Sequence, residues 1–189
     1  MLGILGGTFD PIHEGHIAIA KHVLQAFKLD RIAFIPCFSP PHRDPPIASP
    51  EHRLAMTKLA IQGHPQFFVN DYEIQQQKIS YTINTLKYLH QKHPDESLFL
   101  ILGDDAFSQF QTWHQWEKIT DYAELIVVTR TDKNNRPTLP TLSDKIHFDN
   151  ITPIPVSATQ IRASIRAGRK NIVGLHPAVE KYILENKVY

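Results

Sequence analysis

Short apolar runs alternate along this chain with longer amphipathic stretches, and that alternation restricts its fold more than any other feature. Leu2 to Leu5, Arg31 to Pro36, Phe67 to Asn70, Leu98 to Leu102 and Leu125 to Thr129 read as buried strands. Between them, His16 to Phe27, Pro50 to Gln62 and Tyr81 to His93 carry apolar residues at helical spacing. Strands separated by helices of this length pair in parallel, since a parallel neighbour is reached only by a crossover. The expected fold class is therefore α/β: a Rossmann-like, doubly wound, mostly parallel sheet with helices on both faces. A strand near Ile146 and two C-terminal helices, around Thr159 to Ala167 and Pro177 to Glu185, complete a single domain over residues 1–189.

Two stretches interrupt the pattern, and both would leave the C-terminal ends of strands, where open α/β sheets bind ligands. Pro36 to Pro50 holds six prolines, too many for a helix or a ladder and suited to an extended, stiffened loop. Lys133 to Ser143, with Pro137 and Pro140 among polar residues, reads as a surface excursion.

Composition limits the partners. With 20 basic against 19 acidic side chains the net charge is +1, so no global field attracts nucleic acid or an anionic membrane, and phosphate binding must be local. The single cysteine, Cys37, excludes an internal disulfide and a cysteine-based zinc cluster and points to a reducing compartment, the cytoplasm. The N-terminal residues lack a basic leader, and no run approaches the ~18 apolar residues of a spanning helix.

The chemistry concentrates where the first strand runs into Gly6-Gly7-Thr8-Phe9-Asp10-Pro11-Ile12-His13-Glu14-Gly15-His16. Adjacent glycines let the backbone approach an anion, and the following helix offers free N–H groups and a positive dipole end. His13 and His16, three apart, project from one side of the first helical turn. The segment lacks the Gly-x-Gly-x-x-Gly of a dinucleotide fingerprint and the Gly-Lys of a P-loop, and it is one residue short of a His-Glu-x-x-His zinc helix. Either histidine alone is most simply a capping or surface residue. The whole eleven-residue run asks for more than a tight turn.

This run resembles the ATP-binding motif of the HxGH nucleotidyltransferases, relatives of class I aminoacyl-tRNA synthetases. Ser157-Ala158-Thr159-Gln160-Ile161-Arg162 resembles the family's second signature, Ser-Ser/Thr-x-x-Ile-Arg, with Ser157 placed as a helix cap and Ala158 where a second hydroxyl is common. The resemblance implies that ATP is held by Gly6, Gly7, Thr8, Phe9, His13, His16, Gly103, Asp105, Ser157, Thr159 and Arg162. It further implies that His16, aided by His13 and Thr8, stabilises the α-phosphate while Arg162 takes the leaving pyrophosphate. Mg²⁺ is expected to accompany ATP, held by its phosphates and water, with no metal-ligating residues assigned to the chain.

The acceptor is read from four further segments. Pro40-Pro41-His42-Arg43, Glu51-His52-Arg53-Leu54-Ala55-Met56, Ser80-Tyr81-Thr82-Ile83-Asn84-Thr85-Leu86, and Leu102-Gly103-Asp104-Asp105 with Thr112-Trp113-His114-Gln115-Trp116 resemble the bacterial nicotinate mononucleotide adenylyltransferases. That resemblance implies an acceptor site of His42, Arg43, Thr82, Trp113, His114 and Arg130, with Trp113 stacking on the pyridine ring and Asp105 on a ribose hydroxyl. Trp116 reads as packing, and Arg53 is left open between the site and a helix-face arginine that is solvated or ion-paired. Cys37 and Phe38, His114 and Asn84 depart from the usual Asn, Tyr and Asp. The implied partners are ATP and nicotinate mononucleotide, with no nucleic acid and no membrane, and a homo-oligomer is left open. Rival readings are an adenylyltransferase for nicotinamide mononucleotide or phosphopantetheine, a non-catalytic nucleotide-binding regulator, and an NAD-dependent oxidoreductase.

Overall fold

The computed structural model describes residues 1–41, 44–129, 140–152 and 154–189, apart from the side chains of Pro140, Thr141 and Ser143. Strands β1 (Leu2–Gly7), β2 (Arg31–Pro36), β3 (Phe67–Val69), β4 (Leu98–Gly103), β5 (Glu124–Thr129) and β6 (Ile146–Asn150) form one parallel sheet in the order β3-β2-β1-β4-β5-β6. Helices α1 (Glu14–Ala26), α2 (Pro50–Ala60), α3 (Tyr72–Gln76), α4 (Thr82–Lys92), α5 (Asp104–Ser108), α6 (Ala158–Arg166) and α7 (Pro177–Asn186) connect and follow the strands.

Both faces of the sheet are apolar because alternate strand residues point to opposite sides. Leu2 and Ile4 of β1, Ala33 and Ile35 of β2, and Leu100 and Leu102 of β4 pack in one layer with Ile83, Leu86 and Leu89 of α4. Leu5, Ile32, Phe34, Ile101 and Ile126 face the other way, onto Ile17 and Val23 of α1, Met56 of α2, Ile161 of α6 and Val179 of α7. Helices thus cover both faces, as the doubly wound reading requires.

The chain runs outward from β1 to β2 and β3, then returns to the far side of β1 to lay down β4, β5 and β6. The connections after β1 and β4 consequently leave in opposite directions and open a crevice between their C-terminal ends. Every residue assigned to ATP lies at the C-terminal end of β1 or β4, in the connection or first helical turn that follows, or in α6 and its cap.

Several boundaries differ from expectation. β1 runs through the glycine pair, with Gly6 opposite Ile35 and Gly7 opposite Pro36. α1 begins at Glu14, two residues before the expected start, because His13 takes the N-cap position with extended backbone. The short helices α3 and α5 and the 3-10 turns Phe110–Thr112 and Trp116–Asp121 fall where no regular element was read. Of the excursion from Lys133 to Ser143, residues 133–139 lie outside the described residues, and from Pro140 the backbone is a 3-10 turn, Pro140–Lys145, instead of an irregular loop. Of the proline-rich stretch, Pro36 ends β2 and Pro50 opens α2; the described residues between them carry no helix and only one parallel bridge, Ser39 to Ile79.

Arg53 departs most from the solvated alternative that its sequence position left open. It is 0% exposed. Its guanidinium donates to the carbonyls of Ala48 (3.2 Å), Thr8 (2.7 Å) and Phe38 (3.0 Å). Three carbonyls from two loops therefore satisfy a buried charge that is otherwise costly to keep from water.

Candidate active site

The glycine pair divides its work. A Cβ on Gly7 would lie 2.7 Å from the Phe9 ring, so Gly7 is small because Phe9 folds back over it. Phe9 holds a left-handed φ of 51° and buries its ring against Phe34 and the edge of His16. A Cβ on Gly6 would meet nothing within 4 Å, which leaves open space at the strand end. Thr8 is pinned through its carbonyl by Arg53, and its hydroxyl lies 3.9 Å from Cys37 Sγ.

His13 and His16 do share one side of the first turn, with ring centroids 3.8 Å apart and planes inclined by 29°. The His13 backbone N–H donates to His16 Nδ1 at 3.2 Å. An Nδ1 that accepts leaves the proton of the neutral ring on Nε2, so His16 presents an N–H donor. His16 keeps part of its surface exposed, yet its surroundings are dense enough that burial, and then the charge of His13, lower its pKa from 6.5 to about 3. Gly15 has a role that sequence reading missed. A Cβ there would stand 3.0 Å from His13 Nδ1 and 3.1 Å from Cε1, so glycine between the histidines is what lets the His13 ring take its place.

The second signature abuts the first. Ser157 caps α6 by accepting from the Gln160 N–H at 3.5 Å. Arg162 Nη1 donates to the Asp10 carbonyl at 2.6 Å, and Nη2 donates to Thr159 Oγ1 at 3.3 Å. Asp10 is buried, and its carboxylate accepts from the N–H groups of Ile47 (2.9 Å) and Ala48 (3.1 Å) and from the Tyr189 hydroxyl (2.8 Å). This carboxylate joins the loop after β1, the loop after β2, α6 and the segment after α7. It lay within the quoted run, but nothing local announced its partners.

At the end of β4, Gly103 precedes α5 in extended conformation with open space around it, and Asp105 is exposed in the first turn. The His114 ring lies 4.5 Å from Tyr81, which brings the Trp region to the start of α4 at Thr82. Trp113 and Trp116 both touch Phe110, at 5.7 and 5.9 Å, and both are half-buried, so packing accounts for part of each indole. His42, Arg43 and Arg130 lie outside the described residues.

A part-buried pair of contacts that links the loop after β2 to α3 and α4 went unread. The Phe38 N–H donates to Ser80 Oγ at 2.9 Å, and Thr85 Oγ1 donates to Glu73 Oε1 at 2.6 Å. Burial pushes the Glu73 carboxyl up, against the hydroxyl bonds from Thr85 and Ser80. Among the described residues no three His, Cys, Asp or Glu side chains stand together as a metal site, and no helix is long and apolar enough to cross a membrane.

A parallel sheet of this order, with a glycine turn, a neutral histidine donor and an arginine gathered where its winding reverses, defines a Rossmann-like protein. Residues 4–164 match the cytidylyltransferase-like family. A protein of Coxiella burnetii described as a probable nicotinate-nucleotide adenylyltransferase is 43% identical over an alignment of 211 residues, covering 100% of this chain and 98% of that protein. A Pseudomonas aeruginosa protein of the same description is 36% identical, with 100% and 96% covered. The structure of Plasmodium falciparum nicotinic acid mononucleotide adenylyltransferase complexed with NaAD superposes with a TM-score of 0.77 at 20% identity, covering 98% of this chain and 95% of that one, which shows a shared fold. The chain belongs to the cytidylyltransferase-like family.

Two outcomes are expected of this geometry. Gly15→Ala should leave the melting temperature unchanged or slightly raised, because alanine favours the helix by ~1 kcal/mol, while turnover falls at least about tenfold as His13 is displaced. The His16 pKa is lower folded than unfolded, so the unfolded chain protonates first. Its stabilisation is complete above about pH 6.5 and is lost as the pH falls toward 3, by up to about 1.4 kcal/mol per pH unit. His16→Asn keeps an acceptor for the His13 amide but cannot titrate, so urea unfolding from pH 7 to 5 should destabilise it less than the wild type.

Proposed function

We propose that this protein transfers the adenylyl group of ATP to nicotinate mononucleotide, giving nicotinate adenine dinucleotide and pyrophosphate in NAD biosynthesis, as a single cytoplasmic domain. One observation carries the reading: a neutral His16 whose Nδ1 is occupied by the His13 amide, which leaves Nε2–H as its donor in the first turn of the helix that follows the glycine turn. Full-length relatives with that activity in their descriptions favour nicotinate mononucleotide over other acceptors.

In the proposed reaction a phosphate oxygen of the acceptor attacks the α-phosphorus of ATP in line. The bond from that phosphorus to the β-phosphate oxygen breaks, and pyrophosphate carries away the electron pair. Such chemistry needs positioning and charge stabilisation more than covalent participation. His16 donates to an α-phosphate oxygen as charge gathers there, with His13 and Thr8 holding the same group. Arg162 leaves the Asp10 carbonyl and the Thr159 hydroxyl for the β- and γ-phosphates, beside the capped start of α6. A neutral His16 suits this role because its donor state does not vary across physiological pH.

Gly6, Gly7, Phe9, Gly103 and Ser157 shape the nucleotide's bed, and Asp105 accepts from a ribose hydroxyl. Trp113, Thr82 and His114 take the nicotinate, and His42, Arg43 and Arg130 its phosphate, on the strength of the sequence. Mg²⁺ arrives as part of the MgATP substrate, coordinated by phosphate oxygens and water.

The test is to incubate the protein with MgATP and, separately, nicotinate mononucleotide, nicotinamide mononucleotide and phosphopantetheine, and to identify the adenylylated product. Nicotinate adenine dinucleotide with stoichiometric pyrophosphate is expected, at a rate well above the other two. Exclusive adenylylation of another acceptor would reassign the substrate, and the absence of pyrophosphate with all three would leave a nucleotide-binding regulator.

A further inference from the structure

Tyr189 has no part in the reaction above, yet its hydroxyl reaches into the first signature and donates to Asp10 Oδ1 at 2.8 Å. The same Oδ1 accepts from the Ala48 N–H at 3.1 Å, and Oδ2 accepts from the Ile47 N–H at 2.9 Å. Arg162 Nη1 lies 3.9 Å from Oδ2, outside hydrogen-bond range, and donates to the Asp10 carbonyl instead. A buried carboxylate beside a guanidinium ordinarily draws it into a short, two-pronged pair. Here three neutral donors already occupy the carboxylate, and the arginine rests on a carbonyl and on the Thr159 hydroxyl, weaker partners than a phosphate oxygen. Burial and the charge of Asp10 hold the Tyr189 phenol far above its ordinary pKa, so it remains a donor.

We propose that Tyr189 is a positioning residue for ATP: by holding Asp10 Oδ1 it keeps the 3.9 Å Arg162–Asp10 ion pair from tightening into a hydrogen-bonded one and leaves that guanidinium available to the β- and γ-phosphates. The inference rests on the proposed placement of Arg162 on those phosphates. Without the hydroxyl, one carboxylate lone pair in a largely buried setting lacks a donor, and among the described residues the cation in ion-pair range is Arg162. The guanidinium would turn onto the carboxylate, and ATP would have to pull it away. The acceptor, on the opposite side of the reacting phosphorus, would be unaffected.

The experiment uses the full chain with Tyr189→Phe, which removes one oxygen and keeps the ring. The KM and the calorimetric Kd for ATP should rise about fivefold to tenfold, with kcat and the KM for nicotinate mononucleotide within about twofold of wild type. A purely structural role would weaken both substrates together. Arg162→Ala should weaken ATP by itself, and adding Tyr189→Phe to it should change the ATP Kd by less than about twofold, because the tyrosine acts through the arginine. An unchanged ATP affinity in Tyr189→Phe, equal losses for both substrates, or the same loss with and without Arg162 would overturn this inference alone. An Arg162→Ala protein that binds ATP normally would overturn the phosphate role of Arg162 and this inference with it.

Discussion

The loop after β1 is held by two buried charges, and the arrangement of the site depends on where they hold it. Arg53, projecting from α2, ties the Thr8 carbonyl to those of Phe38 and Ala48 and so fixes the loop against the connection after β2. Asp10 completes the hold by collecting donors from Ile47, Ala48 and Tyr189 and by standing next to Arg162. These contacts join residues far apart in sequence, and each satisfies a group that would be costly to leave buried without a partner. The loop therefore gains its shape from outside itself, which is how a segment with two adjacent glycines can be rigid enough to position Phe9 and the two imidazoles.

Local electrostatics follow from the same arrangement. The chain is nearly neutral overall, so an anionic substrate must be held by a few oriented groups instead of a broad positive field. The structure supplies a neutral ring donor at His16, a glycine-lined strand end, and an arginine resting on neutral oxygens. Keeping His16 uncharged gives up Coulombic attraction in exchange for a donor that is fixed in tautomer and insensitive to pH. In the proposed reaction Arg162 then provides the charge further along the nucleotide.

Much of this was legible in the sequence because it is local. Apolar runs marked the strands, helical spacing marked α1, α2 and α4, the two C-terminal helices were also expected, and Ser157 announced the cap of α6. That His13 and His16 share one side of the first turn followed from their spacing of three; that their rings stack did not. What escaped notice is long-range. A helix-face arginine looks solvated until the loops that cover Arg53 are in place. Gly15 reads as a helix-weakening residue until the His13 ring is found where its Cβ would be. Asp10 resembles any turn aspartate until the Tyr189 hydroxyl, 179 residues away, reaches it. The short helices α3 and α5 carry too few residues for periodicity to register.

The most direct measurement is a crystal structure of the protein with a non-hydrolysable ATP analogue and Mg²⁺. Nε2 of His16 should then lie within hydrogen-bonding distance of an α-phosphate oxygen, with Nδ1 still accepting the His13 amide. A triphosphate bound elsewhere on the sheet edge, or a His16 ring rotated into solvent with the analogue in place, would contradict the account at its foundation.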